Sequence, residues 1–385
     1  MYHKVNSSVI RAGIYIHVPF CTVRCMYCDF YTITYEKNSI PQFLNAIVSE
    51  IERCELDTLN WIIDTLFIGG GTPSLLDSKS IEVILKVLQK NYDLSNIQEF
   101  TIEINPGESS LHQLRNFRGL GINRISIGVQ SLEPELLKFL TRNHSIDDIY
   151  KTYNHARIAG FDNINFDLLY NIPGQTIEQW KRNLERIIML DPAHISAYAL
   201  IVEKGTELHQ LVHDGKVSIP GDPDGTTWLS FTTKYLSDHG FSPYEISSFT
   251  QPGQECRHNL HYWRMEPCLA FGPSAHGFDG HRRWKNVSSM QDYLDKIKNG
   301  ESPVVFTEEL NYKNILNEKV GFGIRMTEGV DLKKIQQPEL SMLKLNLEKS
   351  EKMWPGCIVK NNEHLKLSEK GILFADSIAV DLMIG

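Results

Sequence analysis

Gly13-Ile14-Tyr15-Ile16-His17-Val18-Pro19-Phe20-Cys21-Thr22-Val23-Arg24-Cys25-Met26-Tyr27-Cys28-Asp29-Phe30 is the stretch that decides the fold. Residues 13–18 form a short apolar run between a glycine and a proline, which reads as a buried strand. The strand runs straight into a loop with three cysteines at x3 and x2 spacing. A buried strand ending in a polar, chemistry-bearing loop is the repeating unit of a (βα) sheet.

The unit recurs along the first half of the chain. Apolar runs at 65–68, 100–104, 124–129, 164–169 and 194–200 read as five more buried strands. Helical patterns lie between them, at 41–56, 80–91 and 176–190. In the last, Ile177, Trp180, Leu184, Ile187 and Ile188 recur at helical spacing. Alternation of this kind predicts parallel strands covered by helices. Six units without a Gly-x-Gly-x-x-Gly fingerprint suit a barrel-like sheet better than a dinucleotide-binding fold. Beyond it, 220–223 reads as a break, 222–239 as a helix, and 242–277 as loop-rich and aromatic. Helices dominate from about Val287. A small hairpin over 357–367 with a helix from Ser368 gives the end a winged-helix-like cast. The expected layout is therefore a barrel domain over 1–240, a linking segment over 241–286 and a smaller, mainly helical domain over 287–385.

Five predicted strands carry distinctive motifs at their C-terminal ends. The first has the cysteine loop. The second runs into Gly69-Gly70-Gly71-Thr72-Pro73. The third ends at Glu103-Ile104-Asn105-Pro106 and the fourth at Gln130-Ser131. The fifth holds Asp167 and runs into Asn171-Ile-Pro-Gly-Gln-Thr176. Each has a plain reading: glycines make turns, and carboxylates cap helices or form ion pairs. No Gly-Lys-Ser/Thr follows the glycines, so they are not a phosphate loop. Placed together on one rim, where (βα) barrels keep their active sites, they favour a site.

Soft thiolates at this spacing suit an iron–sulfur cluster or zinc. A structural zinc takes four protein ligands, and only His17 stands near as a fourth. Three cysteines on a four-iron cluster leave one iron open for chemistry. The other four cysteines, at 54, 256, 268 and 357, are scattered, and seven in all argue against a disulfide framework. Hydrophobic content of 42 % and charged content of 22 % are ordinary for a globular protein. The net charge of −8 gives no basic footprint for nucleic acid. No apolar run is long enough to span a bilayer, and the polar N-terminal stretch has no signal core, so a cytoplasmic location is expected. A second informative stretch is Arg257-His258-Asn259-Leu260-His261-Tyr262-Trp263. Imidazole ligates heme iron and aromatic rings stack on porphyrins, although a packed aromatic loop would look the same.

Cys-x3-Cys-x2-Cys preceded by Tyr-Ile-His-Val-Pro-Phe resembles the signature of the radical S-adenosylmethionine proteins. Its wording is similar to the oxygen-independent coproporphyrinogen III oxidase family and that family's heme-chaperone branch, HemW. The resemblance implies a radical SAM partial (βα)6 barrel with a C-terminal helical domain, and a [4Fe–4S] cluster on Cys21, Cys25 and Cys28. It implies that the open iron chelates S-adenosylmethionine. Gly70, Gly71 and Thr72 match a GGGTP motif that meets the methionine amino group. Glu103, Gln130, Arg142 and Asp167 match positions contacting the methionine and adenosine parts, and Tyr15 matches a tyrosine beside them. Asn171 departs from an expected glycine; asparagine tolerates the left-handed conformation. His258-Asn259-x-x-Tyr262-Trp263 matches the HNxxYW motif of the heme-chaperone branch and implies heme at His258. Phe30 stands where the dehydrogenase branch carries a cysteine. Gly321-Phe-Gly-Ile-Arg325-Met-Thr-Glu-Gly329 looks like the family's accessory region.

The resemblance implies heme, a heme-acceptor protein and an electron donor as partners; charge and hydropathy give no nucleic acid and no membrane span, and leave peripheral membrane association and oligomeric state open. It implies a core able to cleave S-adenosylmethionine reductively, without coproporphyrinogen oxidation. The alternatives are a coproporphyrinogen III dehydrogenase, and a zinc-bearing winged-helix regulator.

Overall fold

The computed structural model describes residues 10–36, 39–56, 58–219, 226–361 and 363–385. The expected break at 220–223 lies outside them. Among the described residues, no helix is long and apolar enough to cross a membrane.

All six expected strands form. They are β1 (Ile10–Val18), β2 (Trp61–Gly70), β3 (Glu99–Ile104), β4 (Arg124–Gln130), β5 (Asn163–Tyr170) and β6 (His194–Ala199). Each pairs in parallel with its sequence neighbour. Helices Ser39–Glu52, Ser78–Asn91, Leu111–Gly119, Ile146–Ile158 and Ile177–Ile188 supply the crossovers. The last shows how local sequence sets the element. Thr176 and Gln179 form a reciprocal capping box at its start, and Trp180, Leu184 and Ile187 are its buried stripe. Trp180 Nε1 donates to Thr232 Oγ1 at 2.9 Å, which ties this helix to helix Thr226–Asp238. Burying one such side chain stabilises the fold by roughly 1.5–3 kcal/mol.

The stretch expected as a linking, loop-rich segment is built into the same sheet. It forms β7 (Ser242–Glu245), β8 (Ser248–Thr250), β9 (Cys268–Phe271), β10 (His276–Phe278) and β11 (Arg282–Asn286), followed by β12 (Val304–Glu309). The sheet order is β12-β11-β10-β9-β1-β2-β3-β4-β5-β6-β8-β7. Strand β9 pairs in parallel with β1, so the parallel set gains a seventh member from far down the chain. These strands are too short to show a period, and only their partners define them.

The sheet is curled. Six strands stand between β10 and β6 in its order, a flat separation of roughly 34 Å at ~4.8 Å per strand. Yet His276 of β10 and Tyr198 of β6 line one cavity. Helices cover the outside, and the curl leaves a lumen inside. Helix Arg257–Trp263, hereafter the motif helix, packs against β1 and β2. A second core gathers Leu316, Val320, Leu343, Leu347, Leu365 and Ile378 from helices Tyr312–Gly323, Glu339–Met353 and Ala375–Leu382 and the hairpin Ile358–Lys360/His364–Leu367. This is the expected winged-helix-like module, with Val330–Asp331 as its third strand.

Candidate functional site

The cysteine loop is pinned at both ends. Phe20–Cys21 pairs with Ile33–Thr34, and the Met26 N–H donates to Thr141 Oγ1 at 3.0 Å. Cys21, Cys25 and Cys28 are free thiols, each half-buried. Burial pushes the Cys21 thiol up, and the Cys28 thiol to about 11. A bound metal reverses this, because coordination deprotonates a thiol outright. Among the described residues no three His, Cys, Asp or Glu side chains gather closely enough to hold a metal ion. His17 does not complete a zinc set with the thiols: its Nδ1 lies 3.1 Å from the Tyr15 hydroxyl and its Nε2 2.9 Å from the Tyr31 carbonyl.

The glycines after β2 press against this loop. Gly70 has φ +114°, a conformation that disfavours side chains. A Cβ on Gly71 would stand 2.5 Å from the Phe20 carbonyl oxygen and 2.9 Å from Cys21 Sγ. Bare backbone therefore lies alongside the cysteines. Thr72 Oγ1 donates to Cys21 Sγ at 3.6 Å and accepts from Asn105 Nδ2 at 2.8 Å.

Polar side chains from the next strands converge here. Glu103 Oε2 accepts the Gly70 N–H at 3.0 Å. Desolvation, with the neighbouring Asp167 carboxylate, pushes Glu103 up to about 8. Asp167 accepts from Ser126 Oγ at 2.7 Å and Asn165 Nδ2 at 2.8 Å, and burial raises it despite them. Arg142 is buried. Its Nη2 donates to Asn105 Oδ1 and the Gly128 carbonyl, both at 2.6 Å, and its Nη1 lies 3.6 Å from Cys25 Sγ. Its Nε is buried without a partner. Gln130 ends β4 at φ 64°. A Cβ on Gly128 would sit 3.2 to 3.3 Å from Asn105, Gln130 and Arg142, so this glycine makes room for all three. Asn171 adopts φ 60°, the left-handed turn that its type allows. Asn105 and Thr141 were not singled out by the sequence reading; only the last motif letters of Glu103-Ile-Asn105 hinted at the first.

These residues fit a sulfur-ligated cluster with a small zwitterionic ligand beside it. The donors are soft, the glycines admit close backbone approach, and an arginine with a spare donor stands next to the thiols.

The motif helix lies deeper. It begins without a side-chain cap of its own; instead the Arg257 and His258 N–H groups donate to Glu99 of β3 at 2.8 and 3.2 Å. His258 is 1 % exposed. Its Nδ1 is 2.9 Å from Thr65 Oγ1, its Nε2 is 3.3 Å from the Tyr262 hydroxyl, and its ring stacks on Phe67 at 5.0 Å. Burial, with the neighbouring His261, lowers it to about 3. Tyr15 stacks on it at 6.3 Å and lies 6.0 Å from Phe67, so the three rings form one cluster. His261 is clamped between Asp64 at 2.7 Å and Glu266 at 2.6 Å. Burial alone would lower its pKa, but the two carboxylates outweigh it and raise it to about 9. On its outer side the motif helix presents Asn259, Tyr262 and Trp263 to a cavity of about 960 Å³. Strands β6 and β10 and helix Tyr312–Gly323 close its other sides.

Comparison with known proteins agrees with this architecture. Residues 15–187 match the radical SAM superfamily and residues 310–374 the HemN C-terminal domain. Heme chaperone HemW of Bacillus subtilis (strain 168) is 35 % identical over 327 residues, 84 % of this chain and 86 % of that one. Heme chaperone HemW of Lactococcus lactis is 30 % identical over 380 residues, 98 % and 97 % of the two chains. The solved structure of the Escherichia coli coproporphyrinogen III oxidase HemN superposes with a TM-score of 0.83 at 22 % identity, over 97 % of this chain and 90 % of that one. Membership of the superfamily implies a [4Fe–4S] cluster and S-adenosylmethionine. The chain belongs to the radical SAM superfamily, within its oxygen-independent coproporphyrinogen III oxidase-like family and on the HemW branch.

Proposed function

We propose that this protein binds heme and hands it to acceptor proteins, on a scaffold whose rim holds a [4Fe–4S] cluster and S-adenosylmethionine. The observation that carries the reading is the cavity of about 960 Å³ walled by Asn259, Tyr262 and Trp263 of the HNxxYW helix. Its size falls within the range of cofactor pockets, and its wall is largely aromatic and apolar with a few charged groups. The naming of the Bacillus and Lactococcus relatives as heme chaperones supports the same reading.

At the rim, Cys21, Cys25 and Cys28 would hold three irons of the cluster, and the fourth would supply reductive chemistry when S-adenosylmethionine is bound. The Gly70–Thr72 backbone and Glu103 would receive the amino group, Arg142 the carboxylate, and Gln130 and Asp167 the adenosine part, with Tyr15 as a side wall. The heme assignment at His258 carries over as the motif helix that includes it. Phe30, 63 % exposed, offers no thiol where the dehydrogenase branch has one, which weighs against coproporphyrinogen oxidation. For the domain layout, we read the barrel unit as running through β12, with the helical unit starting near residue 310, where its family match starts.

The test is hemin titration of the anaerobically purified chain, followed by mixing with apomyoglobin as a generic acceptor. The expected result is saturable uptake and subsequent transfer. Absence of saturable uptake overturns the reading. Protoporphyrinogen formed from coproporphyrinogen under reduction would favour the dehydrogenase instead.

A further inference from the structure

The family motif draws attention to His258, yet the structure makes it a poor iron ligand. Both ring nitrogens are engaged, with Thr65 and Tyr262, and the ring packs against Phe67, with Tyr15 beside it. It does not reach the cavity wall; Tyr262 and Asn259 of the same helix do. An axial ligand must present a free lone pair to a metal at the centre of a broad ring. His258 could do so only by abandoning all of these contacts.

A second histidine meets the requirement. Strand β10 alternates its side chains. His276 and Phe278 face the cavity, while a Cβ on Gly277 would come within 2.2 Å of Trp284. The neighbouring strand adds Arg283, opposite Phe278, to the cavity wall. His276 is exposed on the cavity wall, and the Ser274 backbone lies beside its ring. An imidazole has two nitrogens, and histidines that ligate metals commonly give one to a backbone group while the other binds. The surroundings suit a flat apolar macrocycle with acidic edges. Tyr262, Trp263 and Phe322 offer ring faces, and Arg283 and Arg325 stand in the same wall, paired with Glu308 and Glu318 and with Asp376, which an acidic edge would have to share or displace.

We propose that His276, not His258, supplies the imidazole to heme iron in this cavity, and that His258 is a positioning residue that holds the Tyr262 wall. The proposal rests on the heme reading above. Its test is hemin titration of full-length, cluster-loaded chain, read by the Soret band and by ferric-heme electron paramagnetic resonance. His276→Ala is expected to lose the nitrogen-ligated spectrum and weaken binding by about tenfold or more. Free imidazole is expected to restore the spectrum, because the cavity is open where the ring stood; this also shows that the variant is folded. His258→Ala is expected to weaken binding less and to keep the nitrogen-ligated spectrum. An unchanged spectrum in His276→Ala, failure of imidazole to restore it, or its loss in His258→Ala alone would overturn the assignment. If wild-type chain takes up no hemin, the heme reading itself fails; if it does and His276→Ala is unaltered, only the ligand assignment fails.

Discussion

Glu103 carries the most charge-sensitive chemistry at the residue scale. Desolvation and Asp167 hold it at about 8, so near neutrality the chain keeps a proton there. With a folded value above the unfolded one, its contribution to stability is fully present below the ordinary glutamate range and is lost as pH rises through about 8. A cationic ligand beside it favours the charged form, so binding releases that proton. The affinity for S-adenosylmethionine is therefore expected to rise from pH 6 toward 8 and then level off, measured by calorimetry in buffers of different ionisation heat. Glu103→Gln is expected to flatten the profile; a flat profile in the wild type would remove Glu103 from the ligand's contacts. Gly71 offers a steric test. Gly71→Ala is expected to lower the iron and sulfide bound per chain, since its Cβ meets Phe20 and Cys21. Gly119→Ala, with nothing within 4 Å of its Cβ, is the matched control and is expected to leave them unchanged.

The motif helix is the element on which the rim and the cavity meet. Its anchor is His261, buried between Asp64 and Glu266. Removing that ring strands the Asp64 carboxylate with Arg11 alone. His261→Ala is expected to cost about 3–5 kcal/mol, as for other broken buried pairs, read as a fall in denaturant midpoint. Because the folded pKa of His261 is raised to about 9, the stability it adds is full below its ordinary range and fades as pH rises through about 9. A wild-type midpoint unchanged across that window would contradict the clamp. This helix also marks where sequence reading stopped. Strands β1 to β6 were legible because strands buried on both faces read as continuous apolar runs. The rim motifs were legible because they follow those strands. The motif helix has no local start signal, because its N-terminal cap is Glu99, more than 150 residues earlier in the chain. The burial of His258 was hidden for the same reason, and His276 was one histidine among 14. Asn171 went the other way: its type alone foretold the left-handed turn that the structure contains.

Across the whole molecule, one curled sheet carries two sites: the cysteine loop follows β1, and β6 and β10 line the cavity. Tyr15, His258 and Tyr262 stand in contact between them. The C-terminal unit completes the cavity through Phe322, which meets Trp263 edge-on at 6.0 Å. Such pairs contribute about 0.5–1.5 kcal/mol. Phe322→Ala is expected to lower hemin affinity severalfold while leaving the cluster content unaltered; equal loss of both would mean that the two sites are not separable. The most direct test is elemental and cofactor analysis of the anaerobically purified chain after hemin loading. The expected result is about four irons and four sulfides per chain in the cluster, with heme iron in addition. Zinc without sulfide, or a loaded cluster with no retained heme, would contradict it.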